Sequence, residues 1–274
     1  MIVAKIYRRT LALASVPLFA APLLRGERER GRPLPRAAIW SLPPRFVWNT
    51  LRVQTASHYA EHLTMAAHIV SVPPHIEGCV VECGCYKGGS TVNLSLASAL
   101  AGRELHVFDS FEGLPAPAPD ARNVLHDDRE IHRYKCGMYS GSELEVRENV
   151  RRHGSLKSCT FHKGWFEDTL RDFRTPCIAA FVDVDLRASL ETCVLAIWPQ
   201  LVDGGALFVH EARHHEMASL FFDEEWWRSR LGTVAPGLVG AGTGIGLAPE
   251  DGAWRSQLGF ARKLGELEYA SRYG

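Results

Sequence analysis

Apolar and polar positions along the chain switch repeatedly between two periods. Short apolar, β-prone runs at Cys79-Val80-Val81, Leu105 to Phe108, Ser158 to His162, Cys177 to Val182, Ala206 to Val209 and Leu258 to Lys263 read as strands. Between them lie segments of helical period: Ser90 to Leu100, Ser142 to Arg152, Glu167 to Phe173, Arg187 to Trp198 and Glu211 to Leu231. Ser142 with Glu145 three residues later has the pattern of a capping box, and Thr175-Pro176 stops the segment before the fourth strand. Strands without alternation, all but the last followed by a helix, predict an α/β fold with a Rossmann-like, doubly wound sheet, expected to hold about seven strands of which six are named here. Ahead of the sheet, Tyr59, Leu63, Ala66, Ala67 and Val70 are spaced for one buried helix face that ends at Pro73-Pro74. The expected organisation is an extension over residues 1–36, a helical cap over 37–76, the main domain over 77–265 and a tail over 266–274.

Two stretches break this rhythm. Lys5, Arg8 and Arg9 precede the apolar run Leu11 to Leu24, and an arginine-rich segment to Arg36 follows. A membrane-crossing helix needs about 20 apolar residues, and Pro17 and Pro22 interrupt this run, so a peripheral anchor or mobile arm is expected, with a signal peptide or a plain extension as alternatives. The connection Phe111 to Gly141 is too long for an ordinary loop and reads as a lid over a substrate. It carries His126-Asp127-Asp128 and His132, whose imidazoles titrate near neutrality and are candidate general bases.

Charge narrows the partners. Lys plus Arg and Asp plus Glu both number 31, so no overall field draws the chain to nucleic acid or another polyanion. The seven cysteines are odd in number and several sit inside apolar runs, which predicts reduced thiols and a cytoplasmic setting. Cys83 and Cys85 are two apart, outside redox or zinc-knuckle spacing, and are read as packing residues. His58 and His62 share one helix face, but without a third ligand nearby they are expected to be a solvated pair.

The candidate chemistry sits at strand ends. After the first strand, Gly84, Gly88 and Gly89 allow a tight turn into the helix, and Asp109 closes the second strand about 25 residues later, where an acid can accept from both ribose hydroxyls. The glycine spacing differs from G-x-G-x-x-G. Glu82 at the first strand end would repel a pyrophosphate and attract the ammonium of a ligand such as S-adenosylmethionine; a plain βαβ turn with a surface acid is the competing reading. Trp165, in Gly164-Trp165-Phe166 after the third strand, either borders an adenine ring or sits in the core. Asp183 and Asp185 point one way from the fourth strand end and ask for a cation, although Asp185 can instead cap the next helix. His210-Glu211-Ala212-Arg213-His214 matches the H-E-x-x-H of zinc peptidases, but that signature needs one continuous helix and His210 closes a strand. Gly240 to Gly246 lacks a strand before it and a helix after it, so it reads as a mobile loop.

Four blocks, Glu82 to Ser90, Phe108 to Pro115, Gly164 to Leu170 and Val182 to Leu186, resemble in sequence and order the macrocin O-methyltransferase family, whose members methylate sugar hydroxyls of natural products. The resemblance spans roughly residues 75 to 265. It implies a class I S-adenosylmethionine-dependent O-methyltransferase acting on a sugar, glycosylated natural product or glycolipid, commonly with a divalent metal (Mg or Mn) beside the acceptor hydroxyl. Carried onto this chain, it implies cofactor contacts at Glu82, Gly84, Tyr86, Gly88, Gly89, Ser90, Asp109, Ser110, Gly164, Trp165 and Asp183, and a base in the lid, His126 or His132. Where the family has Asp-Asp-Tyr after the fifth strand, this chain has His210-Glu211-Ala212, and the family's tyrosine after the second strand-four aspartate is replaced by Leu186-Arg187. Asp183, His210 and Glu211 can still ligate, with a shift from magnesium towards softer metals, or the metal is lost and His210 is itself the base. A homo-oligomer is expected, with peripheral membrane contact through residues 1–36. The alternatives are a non-catalytic S-adenosylmethionine-binding or membrane-associated protein of the same fold, or the zinc peptidase.

Overall fold

A computed structural model describes residues 34–118, 133–240 and 257–264. The N-terminal run, His126 and His132 of the lid, the glycine-rich stretch beyond Gly240 and the C-terminal tail lie outside the described residues.

The apolar runs form the strands that their composition demands. The strands β1 (Cys79–Cys83), β2 (Leu105–Asp109), β3 (Cys159–Lys163), β4 (Cys177–Val182) and β5 (Leu201–Val209) pair in parallel, and β6 (Gly259–Arg262) runs antiparallel to β5. The sheet order is β3-β2-β1-β4-β5-β6. Every residue of β1 and β4 is buried, as expected for central strands covered on both faces. Six strands are present among the described residues rather than seven. The outer edge of β6 is met by a single antiparallel bridge, in which Val239 and Phe260 exchange backbone hydrogen bonds of 2.9 Å, so one residue stands where a further strand would lie.

Helices α1 (Arg36–Thr50), α2 (Tyr59–Ser71), α3 (Gly89–Ala101) and α4 (Glu143–His153) cover one face. The other face carries α5 (Phe166–Thr169), α6 (Arg187–Ile197), α7 (His215–Ser219) and α8 (Glu224–Leu231). The first two helices do not form a cap apart from the domain. Ile39, Phe46, Leu63, Ile69 and Val70 join the same core cluster as Val80, Ile178 and Phe208 of the sheet, and His68 Nε2 donates to the Ile178 carbonyl at 3.0 Å. Of the predicted pair on α2, His58 caps the helix, while His62 is fully buried and bonded on both ring nitrogens, to Ser57 and Asn93, so the pair is neither solvated nor convergent.

Two predicted helices are shorter than their periodicity suggests. Glu167 to Phe173 yields one turn, Phe166–Thr169. The aromatic segment after β5 is cut at Asp223, whose side chain accepts from Trp226 N at 2.9 Å and so starts a new helix. Phe221 and Trp227 are core, whereas Phe222 is 63% exposed. All seven cysteines are free thiols, and Cys83 and Cys85 are buried packing residues. No helix among the described residues is long and apolar enough to cross a membrane.

The chain leaves β1, winds outward through β2 and β3, then crosses to the other side of β1 as β4. The carboxyl ends of β1 and β4 therefore face a crevice at the switch point, where such sheets bind ligands. Gly84 makes their approach possible. Its φ is +83°, and a Cβ there would sit 1.9 Å from the Asp183 carbonyl oxygen. Gly84→Ala is expected to cost about 3 kcal/mol or more, a drop of roughly 6–12 °C in Tm that thermal unfolding would show. A shift below about 2 °C would contradict this packing.

Candidate active site

A cleft of about 310 Å³ opens at that switch point. Its floor and first wall come from the turn after β1, with Gly84, Tyr86 and Ser90, and from the end of β2, with Asp109 and Ser110. Gly164 and Trp165 after β3 and Asp183 and Asp185 after β4 complete it, while Thr55 reaches in from the α1–α2 connection. Trp165 is 39% exposed, which rules out the core alternative.

Asp109 is held before any ligand arrives. Its Oδ2 accepts from Cys85 N and its Oδ1 from Phe111 N, both at 2.7 Å, so one side chain ties the β1 turn to the β2 turn. Burial pushes its carboxyl above the usual value against those hydrogen bonds. Asp109 also lines the cleft, so its carboxylate is presented to whatever enters there. Backbone strain gathers at the same place. Tyr86, Tyr139 and Asp185 line the cleft with φ of 49°, 56° and 60°, and Phe111, next to Ser110, has 58°.

Three residues expected to touch a cofactor do not line this cleft. Glu82 is completely buried behind the turn, where Ser90 Oγ donates to its Oε1 at 2.5 Å and its Oε2 has no hydrogen-bond partner. Burial, together with Asp183 and Asp109, pushes its carboxyl up to about 8, so it is no standing anion at the pocket lip. Gly88, in the left-handed region, caps α3, and a Cβ on Gly89 would lie 2.4 Å from Thr55 Cβ, so this pair makes room for the chain rather than for a ligand.

Beside the cleft lies a buried cluster. His210 follows β5 directly, and its Nδ1 is 3.2 Å from Asp183 Oδ1 and 2.8 Å from Glu211 Oε1. On the far side of the ring, Nε2 is 3.5 Å from Glu61 Oε2 of α2. Burial disfavours a charged imidazole, yet the Asp183 and Glu211 carboxylates push the His210 pKa well above its usual value. Glu211 is raised by burial and by Asp183, and Asp185 is raised to about 7 by the same two causes. Glu61 is held at about 2 against its burial by His210 and by the N–H groups of His58 and Gln257. Asp185 is no helix cap; it is bonded by the Tyr134 hydroxyl instead.

The donor atoms of Asp183, His210 and Glu211 all lie within 4.8 Å of one another. Adjacent ligands at right angles on a cation with bonds of about 2.1 Å are separated by about 3.0 Å. The two His210 separations bracket that value, and Glu211 Oε2 is buried without a hydrogen-bond partner, so the set fits a divalent cation. The peptidase reading does not fit. His214 N donates to the Glu211 carbonyl in a tight turn, and α7 starts only at His215, so the two histidines share no helix face.

Several contributors escaped the sequence reading: Glu61, Tyr134, Tyr139, Thr55 and the Leu114-Pro115 wall. Glu61 had one visible signal, its place three residues after His58 in a capping box that the structure confirms.

The sheet order, with a switch-point crevice lined by a strand-two acid and an exposed tryptophan, is the architecture of the class I methyltransferase fold. The profile of the macrocin-O-methyltransferase (TylF) family matches residues 55–230, and the chain belongs to that family. It is thus an S-adenosylmethionine-dependent O-methyltransferase. Among solved structures it is similar to the O-methyltransferase NovP, at 21% identity over 73% of this chain and 77% of that one with a TM-score of 0.54. It is also similar to the calicheamicin methyltransferase CalS11, at 17% identity over 88% and 91% with a TM-score of 0.52. No significant match is found among curated protein sequences.

Glu82 carries a pH prediction. Its folded pKa of about 8 exceeds the unfolded 4.5, so its contribution to stability is complete below pH 4.5 and is lost as pH rises through 8. Glu82→Gln keeps the acceptor for Ser90 and removes the titration, so its Tm at pH 8 should equal or exceed that of the wild type. A variant less stable at pH 8 than at pH 5, by as much as the parent, would contradict the buried neutral carboxyl.

Proposed function

We propose that this protein transfers the methyl group of S-adenosylmethionine to a hydroxyl of a sugar, on a glycosylated natural product or a glycolipid, beside a divalent cation held by Asp183, His210 and Glu211. The observation that carries the reading is the contact between the two halves of the site: Asp183 lines the cleft and also faces His210 Nδ1. Donor and acceptor centres are therefore adjacent.

The donor fits the cleft through Asp109 at the ribose, Trp165 at the adenine edge and the Gly84–Ser90 turn at the methionine portion. Carboxylates of Asp183 and Asp185 on the opposite wall suit a sulfonium cation. A bound cation supplies Lewis-acid polarisation of the acceptor oxygen. The chain has to orient the hydroxyl in line with the methyl group and remove one proton. Asp185 is placed for that proton, since it lines the cleft with a pKa of about 7. His210 suits ligation better than base catalysis, because it does not line the cleft and its Nδ1 lies among the donor atoms of Asp183 and Glu211. His126 and His132 stay candidates from the lid, outside the described residues.

A lipid-linked acceptor is supported by α1, which has no acidic residue and exposes Trp40 and Trp48, both 54%, with the Arg52 guanidinium 4.1 Å above the Trp48 ring. Exposed tryptophan beside arginine suits an anionic membrane surface. Vesicles containing anionic lipid should blue-shift the tryptophan emission of the protein, and Trp40→Ser with Trp48→Ser should abolish the shift; an unchanged shift in the double variant counts against membrane contact through α1.

Calorimetry and labelled-methyl transfer test the main reading. Trp165→Ala should weaken S-adenosylmethionine binding by about 1–2 kcal/mol, roughly five- to thirtyfold, at little cost in stability because the side chain is surface-exposed. Methyl transfer to a sugar acceptor should fall on chelation and return with added manganese. Absence of donor uptake by folded protein would end the proposal, and transfer indifferent to chelator would remove the metal from it.

A further inference from the structure

Glu61 joins three distant parts of the chain at the edge of the site. It belongs to the first turn of α2, where its Oε2 accepts from His58 N at 2.7 Å. Its Oε1 accepts from Gln257 N at 2.8 Å, just before β6, and its Oε2 faces His210 Nε2 at 3.5 Å. The side chain is 5% exposed and does not line the cleft.

An imidazole with one proton can carry it on either nitrogen, and the choice decides which nitrogen can ligate. In the metal-free protein Nδ1 shares a proton with Glu211 Oε1 at 2.8 Å; a cation held at Nδ1 would displace that proton, and the carboxylate opposite Nε2 would keep the remaining one there. The lone pair on Nδ1 then points between Asp183 Oδ1 and Glu211 Oε1, the two oxygens closest to it. We propose that Glu61 is a positioning residue that fixes the Nε2–H form of His210 and thereby builds a mixed nitrogen and oxygen site for a divalent transition-metal ion. The proposal rests on the metal reading given above and adds the residue that makes a histidine serviceable in it. A ligating histidine normally donates its other N–H to a carboxylate or carbonyl, and loss of that partner weakens metal binding about 10–100-fold. One nitrogen among oxygen donors also moves selectivity from magnesium towards manganese, iron, cobalt or zinc.

The test is a Co2+ titration of the full chain, followed by calorimetry and by visible ligand-field absorption. Glu61→Gln should bind Co2+ about 10–100-fold more weakly than wild type, with a changed absorption band. In a His210→Asp background there is no imidazole proton to place, so adding Glu61→Gln should change affinity no more than about threefold. Equal losses in the two backgrounds would mean that Glu61 acts only by tying α2 to residue 257, and would overturn the proposal. Uptake of S-adenosylhomocysteine by each variant reports whether the cleft has folded. A measurement on the wild type needs no variant: with Zn2+ bound, 15N spectra of the imidazoles should show His210 protonated at Nε2, and protonation at Nδ1 would overturn the assignment. Wild-type protein that takes up no Co2+ or Zn2+ would overturn the metal reading and this proposal together, whereas Co2+ uptake unaffected by Glu61→Gln would overturn this proposal alone.

Discussion

The site depends on an excess of buried and half-buried carboxylate gathered around one imidazole. Glu61 from α2, Asp183 and Asp185 from the end of β4, and Glu211 beyond β5 bring four acids to a region whose nearest basic side chain is His210. Buried acids that close cannot all ionise unless positive charge is supplied. Protons supply part of it, which is why Glu211 and Asp185 are raised while Glu61 and Asp183 stay low. A divalent ion and a sulfonium donor would supply the rest, and both are what the chemistry of methyl transfer to a hydroxyl can use.

Such a cluster exists only because the backbone brings its elements close. Gly84 lets the turn after β1 pass against the carbonyl of Asp183, and Asp109 ties that turn to the end of β2 through two backbone N–H groups. The docking of α2 against the central strands then delivers Glu61 to the other side of the His210 ring. Helices that precede the sheet in sequence are for this reason packed into the domain and in contact with the carboxylate cluster, not a cover added to it.

The sheet was legible because buried parallel strands leave uninterrupted apolar runs, and the six strands lie where those runs fall. Asp109, Trp165 and Asp183 were legible as cleft-lining positions, since a polar or aromatic residue that closes an apolar strand has few other places to face. Glu82 was misread for the same reason that made it conspicuous: an acid at a strand end looks like a ligand, but burial and Ser90 behind the turn make it a neutral internal group. Glu61 was hidden because its value lies in tertiary contacts with residues 149 and 196 positions away, which no local period encodes. The aromatic segment after β5 misled on length because helical periodicity does not register a mid-segment cap such as Asp223.

A carboxylate cluster and a donor cleft that form one working site would fill side by side. Crystals grown with manganese and S-adenosylhomocysteine test this most directly. The expected result is an anomalous peak within coordination distance of Asp183, His210 and Glu211, with the nucleoside ribose on Asp109 in the adjoining cleft. Nucleoside bound elsewhere, or bound at Asp109 with no peak between those three side chains, would contradict it.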